Sequence, residues 1–337
     1  MVESRSSIVE TVEAIGERAL IDRIRARIPA SPGWVIIGIG DDAAVVEPER
    51  NALDVITTDA LVEGVHFDRT FCGAGDIGHK ALAVNLSDLA AMGAAPRAAL
   101  LSLMLPPALP VTDVDALVDA MMALAQRSQI SFVGGNITRS SGPLVVDVTV
   151  TGSIHPRRIL TRAGARAGDE IYVTGSIGGA AAGLNALRAG LSAEAALGRE
   201  GGSAEAGQKY LRPEPRLRVG ILLGRNRAAR ACIDLSDGLA DAVRQVAEAS
   251  GVGAVIEAHA LPIQPKTMSV REAITGGEDY ELLFTVSPKM RGRLNGVRRL
   301  VKDLPITKIG IITADRALLL DIDGKKEELP PGFEHFK

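Results

Sequence analysis

Cysteine is almost missing from this chain. Its 337 residues include only Cys72 and Cys232, with neither a metal-type spacing nor the makings of a disulfide framework, so a reducing compartment is the simpler inference. Aromatic residues are scarce too, 3% with a single Trp against 36 Gly, and small side chains must therefore dominate the packing. Neither sign of charge is in excess: 38 Lys and Arg face 41 Asp and Glu, a net charge of -3. That leaves no electrostatic footprint for nucleic acid or an anionic membrane. If the substrate is an anion, bound cations rather than protein charge must attract it. No apolar run approaches the length of a membrane span. The N-terminus, Met1-Val2-Glu3-Ser4-Arg5, lacks the basic-then-apolar order of a signal peptide. A cytoplasmic protein is expected, in which the Asn-x-Ser/Thr matches at Asn85 and Asn136 carry no glycosylation meaning.

Several catalytic signatures are absent as well. There is no G-x-x-x-x-G-K-[ST] phosphate loop, no protein-kinase H-R-D or D-F-G set, no G-x-S-x-G elbow and no H-E-x-x-H. Gly175-Ser176-Ile177-Gly178-Gly179 matches a dinucleotide fingerprint only loosely, and close helix–strand packing explains it equally well. Of five His, only His66 lies close to an acidic cluster.

What the chain does have is a series of acidic turns. In Gly38-Ile39-Gly40-Asp41-Asp42-Ala43, a short β-branched run from Val35 leads into two glycines and two adjacent carboxylates. The pattern reads as a buried strand ending in a tight turn. Two like charges there call for a cation, unless the turn simply lies on the surface. Similar features recur at Thr57-Thr58-Asp59, at Asp234-Leu235-Ser236-Asp237 and at Gly276-Gly277-Glu278-Asp279. Asp88 adds a carboxylate on a nearly all-apolar helix, where an unpaired buried charge is costly. Carboxylates with hydroxyl neighbours are hard oxygen ligands, suited to Mg²⁺ rather than zinc. Dispersed Asp residues without a nucleophile–His pair suit phosphoryl transfer, in which catalysis is mainly positioning and charge neutralisation.

The periodicity predicts helices over 8–27, 76–92, 111–129, 215–224 and 239–249. Strands are expected over 35–39, 53–58, 97–105, 130–133, 144–151, 170–174, 231–234, 254–257 and 281–286, then near 306–312 and 317–322. Residues 61–68 read as a loop, Gly134-Gly135-Asn136 as a glycine-polar turn, and 190–212 as an insertion of low information. The length suggests two domains or one large one. The result is a mixed α/β (α+β) chain in two halves, 1–155 and 156–337, divided near Pro156-Arg157-Arg158, with acidic groups at strand ends where sites in such folds gather.

These blocks, in this order, resemble the thiamine-monophosphate kinase family of the aminoimidazole ribonucleotide synthetase superfamily. The likeness runs through residues 38–43, 57–67, 80–94, 134–139, 233–239 and 276–282, nearly the whole chain. It implies ATP-dependent phosphorylation of thiamine monophosphate to thiamine diphosphate. It also implies several Mg²⁺ ions held by Asp42, Thr57, Thr58, Asp59, Asp88, Asn136, Asp234 and Asp237. Gly135, Asn136, Arg162 and Ser236 match ATP-contacting positions, and His66, Glu278 and Phe333 match positions that hold thiamine monophosphate. The implied assembly is a homodimer whose N-terminal halves pair. One departure stands out: the family usually reads Gly-Gly-Asp where this chain has Gly134-Gly135-Asn136, which supplies a carbonyl oxygen without the charge. Selenophosphate synthetase, a relative by fold, needs a reactive Cys and a Lys near its N-terminus. Here the first of each are Cys72 and Lys80.

Overall fold

A computed structural model describes residues 9–190, 202–265 and 268–332. In chain order the elements are α1 (Val12–Ile15), α2 (Glu17–Arg25), β1 (Val35–Ile37), β2 (Val45–Val46), β3 (Leu53–Val62), α3 (Ala74–Met92), β4 (Ala95–Leu105), α4 (Val111–Ser128), β5 (Ser131–Arg139) and β6 (Val145–Ile154). They continue with β7 (Glu170–Thr174), α5 (Gly179–Arg188), α6 (Gly202–Leu211), α7 (Leu217–Asn226), β8 (Ala231–Asp234), α8 (Leu239–Ser250), β9 (Gly253–Glu257), α9 (Val270–Thr275), β10 (Leu282–Val286), α10 (Arg291–Leu300), β11 (Ile306–Thr313), β12 (Leu318–Ile322) and β13 (Lys325–Glu328). The strands form a two-stranded sheet, a four-stranded sheet in the order β3-β6-β4-β5, and a seven-stranded sheet in the order β13-β12-β9-β11-β7-β10-β8.

Two compact units emerge. One comprises Met1–Pro48, Thr58–Leu82 and Arg97–Val150; the other comprises Glu49–Thr57, Ala83–Pro96 and Thr151–Lys337. The division runs through β3, α3, β4 and β6.

In the first unit, α4 buries Val114, Leu117, Val118, Met121 and Leu124, all close to helical period. It lies so close to α3 that a Cβ at Gly78 would fall on the Leu117 carbonyl. Strands β4 and β5 pair in parallel, with a bulge beyond Ala99↔Phe132 before the pairing resumes at Leu100↔Gly134. Gly134-Gly135-Asn136 is thus strand rather than turn: the bulge and the close approach of β4, not a reversal of the chain, require the glycines.

The second unit is built on period-2 alternation. Ile171, Val173, Ile233 and Leu283 face one apolar layer, which α8 completes with Leu239, Val243 and Val246. Tyr172, Cys232, Leu282 and Phe284 face the other, completed by Val219 and Leu223 of α7 and Leu294 and Val297 of α10. Covered on both faces, β7, β8 and β10 are buried at every residue and mostly apolar, with Glu170, Thr174, Asp234 and Thr285 the polar exceptions.

Three expectations fail locally. The helix over 8–27 is two helices, broken at Gly16, whose φ of 78° no helix accommodates. The run at Val35–Ile37 is an exposed edge ribbon rather than a buried strand, because among the described residues its sheet partner is the two-residue β2. Within 61–68, strand β3 continues to Val62 before the chain turns.

Candidate active site

In the second unit, adjacent residues of α3 reach the end of one strand and the middle of another. The Ser87 hydroxyl donates to Asp234 Oδ2 at 2.7 Å, and Asp234 is the buried last residue of β8. One residue on, Asp88 Oδ2 accepts the Thr57 hydroxyl at 2.5 Å. Burial pushes the Asp88 carboxyl above the usual carboxylate range, against the opposing pull of the Thr57 hydrogen bond and the Arg162 charge. Thr57, Asp88, Arg162 and Asp234 therefore form one neighbourhood. Ser236 and Asp237, half-buried, follow directly from Asp234.

The turn beyond β8 is backed by the one before β10. Glu278 N–H donates to the Ser236 carbonyl at 2.7 Å, Tyr280 N–H to Leu235 O at 3.0 Å, and Leu235 N–H to Glu281 O at 2.8 Å. Contact is close enough that a Cβ on Gly277 would lie 2.6 Å from the Ser236 carbonyl oxygen. Glu278 (φ 68°) and Tyr280 (φ 48°) both take left-handed backbone conformations, each costing on the order of 1–3 kcal/mol for a residue with a side chain. Between them the Asp279 carboxylate accepts N–H bonds from Gly178 (2.6 Å) and Ala180 (3.0 Å) at the start of α5. The glycine turn at 175–179 therefore already holds an anion of the protein's own, which answers the dinucleotide resemblance. A Cβ at Gly175 would fall on Glu281.

Four side chains in this support were not singled out from the sequence. Glu281, fully buried, accepts two bonds from Arg216 at 2.6 and 2.7 Å and one from the Thr174 hydroxyl at 2.7 Å. Lys209, from the stretch read as uninformative insertion, lies 3.3 Å from Glu281 and 3.6 Å from Asp279 and donates to the Ser176 carbonyl. The signal available was charge placement: Lys209 near the end of α6 and Arg216 just before α7 match two carboxylates in Glu278-Asp279-Tyr280-Glu281.

In the first unit, Asp41 and Asp42 are exposed, and Asp42 N–H donates to Asp41 Oδ1 at 2.9 Å. The costly buried pair foreseen from the sequence does not arise, because the strand before it is itself exposed. On β3, alternation puts Thr58 on the face opposite Thr57 and Asp59. The Thr58 hydroxyl bonds Asp147 (3.0 Å), Thr149 (3.0 Å) and the Val148 carbonyl (3.3 Å). Asp59 is half-buried. His66, also half-buried, accepts the Val62 N–H at Nδ1 (3.1 Å), and its carbonyl accepts from Lys80 (3.3 Å). Gly135 lies against β4, where a Cβ would fall on the Leu101 carbonyl. Asn136, exposed, pairs in register with Ser102. Phe333 lies outside the described residues.

Among the described residues, no three His, Cys, Asp or Glu side chains form a group that could hold a metal ion. The donors that do meet, Thr57 with Asp88 and Ser87 with Asp234, are all oxygens. That set fits Mg²⁺, which takes one or two carboxylates and completes its shell from water and substrate phosphates.

Comparison with known proteins decides the family. The chain is 40% identical over 334 residues to the thiamine-monophosphate kinase of Salmonella typhimurium, covering 96% of this chain and 99% of that protein. The chain belongs to the thiamine-monophosphate kinase family. Its members are kinases, and this chain is an enzyme of that class. Residues 40–154 match the AIR synthase related protein N-terminal domain and residues 166–322 the corresponding C-terminal domain. The crystal structure of thiamine-monophosphate kinase from Stenotrophomonas maltophilia K279a has a TM-score of 0.81 at 39% identity, covering 91% of this chain and 96% of that one. The structure described as AaThiL complexed with AMPPCP and TMP has a TM-score of 0.74 at 33% identity, covering 98% of this chain and all of that one. Among the described residues of this family member, no helix is long and apolar enough to cross a membrane.

Proposed function

We propose that the chain transfers the γ-phosphoryl group of ATP to the phosphate of thiamine monophosphate, giving thiamine diphosphate and ADP. The observation that carries this reading is the α3 bridge. Ser87 and Asp88 join the end of β8 to Thr57 of β3, in a chain that matches a phosphonate-ATP and TMP complex over its whole length.

The chemistry follows from the donors. The acceptor phosphate is already ionised at pH 7, so no general base is required, consistent with a neighbourhood of carboxylates and hydroxyls. The attack on the γ-phosphorus is in line, and repulsion between two anions is the main barrier. Asp42, Thr57, Thr58, Asp59, Asp88, Asn136, Asp234 and Asp237 are assigned to hold Mg²⁺. When bound, Mg²⁺ neutralises the phosphates of both substrates. Arg162, Ser236, Gly135 and Asn136 are assigned to ATP. The open strand edge at Gly135 lets a ligand approach the backbone closely, and Arg162 adds a positive charge beside Asp88. His66, Glu278 and Phe333 are assigned to thiamine monophosphate.

We infer further that the N-terminal domain spans 1–155, that the C-terminal domain spans 156–337, and that the chain is a cytoplasmic homodimer. Ile36, Val45, Val65 and Leu100 of the first unit expose large apolar side chains, a surface that pairing of N-terminal halves would cover. ADP release measured with and without thiamine monophosphate tests the reaction. Release must depend on the acceptor, and Asp237→Ala must abolish it. Acceptor-independent release, or near-native turnover in Asp237→Ala at saturating Mg²⁺, contradicts the proposal.

A further inference from the structure

The acidic pair Glu278-Asp279 divides into two jobs. Glu278 is half-buried on the turn that backs Ser236. Asp279 is buried and faces the other way, into the fold. Its carboxylate takes two N–H bonds from the start of α5 and lies 3.6 Å from Lys209. Residues on both sides of it are left-handed. Neither Glu278 nor Tyr280 is a glycine, so neither favours that conformation; something must hold the turn there.

We propose that Asp279, clamped by Lys209 and the N-terminus of α5, is a positioning residue that sets the backbone of Glu278 for binding thiamine monophosphate. This rests on the assignment of Glu278 to that substrate. The clamp has three anchors. Lys209 reaches the Ser176 carbonyl as well as Asp279 and Glu281, so it ties α6 to the turn ahead of α5. Arg216 and Thr174 hold Glu281, which fixes the far end of the 278–281 stretch. Backbone bonds from Glu278 and Tyr280 to Ser236 and Leu235 fix its face toward the β8 turn. Burial pushes the Asp279 carboxyl up, and Lys209 with the two N–H groups opposes this. An uncharged Asn loses the attraction to Lys209 and one of its two acceptor oxygens. The turn is then free to relax to right-handed φ, which redirects the Glu278 side chain.

The test compares Asp279→Asn, Lys209→Met, Lys209→Arg, Glu278→Gln and the Asp279→Asn/Glu278→Gln pair, reading KM for each substrate, kcat and thermal midpoint. Asp279→Asn and Lys209→Met are expected to raise KM for thiamine monophosphate roughly tenfold or more. KM for ATP should stay within about twofold, Lys209→Arg should recover most of the loss, and the double variant should bind little worse than Glu278→Gln alone. If Asp279→Asn does not fold, Lys209→Met carries the same prediction. Suppose Glu278→Gln raises KM but the clamp variants lower only the thermal midpoint, or raise both KM values alike, or add fully to Glu278→Gln; the clamp is then overturned and the substrate assignment stands. If Glu278→Gln leaves KM unchanged, the assignment itself fails and takes the clamp with it.

Discussion

Glu170 is a carboxylate of the seven-stranded sheet held by two cations and a phenol. It is buried at the start of β7. It accepts two bonds from Arg291 of α10 (2.6 and 2.8 Å) and one from the Tyr172 hydroxyl (2.9 Å), and it lies 3.1 Å from Lys308 of β11. Together these partners, Arg291 first, hold its carboxyl down from the usual 4.5 to about 2. At about 1.4 kcal/mol per tenfold change in proton affinity, that is about 3 kcal/mol of folding stability. Arg291 and Lys308 are themselves 57% and 43% exposed, and screening by water reduces the figure to about 2 kcal/mol. Because the folded-state value lies below the unfolded one, this stability is present above about pH 4.5 and is lost as the pH falls toward about 2. Glu170→Gln keeps the shape and removes the charge. Urea unfolding at pH 7 should show a loss of about 2 kcal/mol, or about 3 °C in thermal midpoint for a chain of this length. The gap between variant and native protein should narrow steadily below pH 4.5. A loss under about 0.5 kcal/mol at pH 7, the level of an ordinary surface change, or a gap that ignores pH, would refute the reasoning.

Asp88 predicts the opposite sign. Burial raises its carboxyl above the ordinary value, so the stability it confers is present at acid pH and lost as the pH rises through the folded-state value. Asp88→Asn, which keeps an acceptor for Thr57, should melt higher than the native protein at pH 7, lose that advantage in acid and lose turnover; a lower midpoint at pH 7 contradicts this. Gly135→Ala places a methyl on the Leu101 carbonyl and must part β4 from β5, costing about 1–3 kcal/mol in thermal or urea unfolding; an unchanged midpoint contradicts the close approach. Asn136→Asp should lower the Mg²⁺ concentration needed for half-maximal turnover, and an unchanged requirement refutes the view that the missing charge weakens one ion.

The elements that sequence periodicity located well are those whose burial is one-sided or complete. Helix α4 with its apolar stripe and the wholly buried β7, β8 and β10 were legible because their patterns admit one reading. The failures come from contacts the linear chain does not encode. Gly134-Gly135-Asn136 looks like a turn because glycine in a strand is costly, yet at Gly135 the Leu101 carbonyl of β4 approaches too closely for any side chain. The Val35–Ile37 run looks buried because it is apolar, but it finds only a two-residue partner. At the candidate site, Asp88 and Asp234 stood out as carboxylates in apolar surroundings. Lys209 did not, because its meaning depends on Asp279 and Glu281, some seventy residues later. The opposite orientations of Glu278 and Asp279 were equally hidden, since they follow from left-handed backbone at two residues that are not glycine.

The most direct measurement follows the phosphoryl group itself. With γ-labelled ATP, Mg²⁺ and thiamine monophosphate, label should enter thiamine diphosphate in equal amount to the ADP formed, and none should be transferred to unphosphorylated thiamine. Label found instead in inorganic phosphate or on the protein would contradict direct transfer between the two substrates.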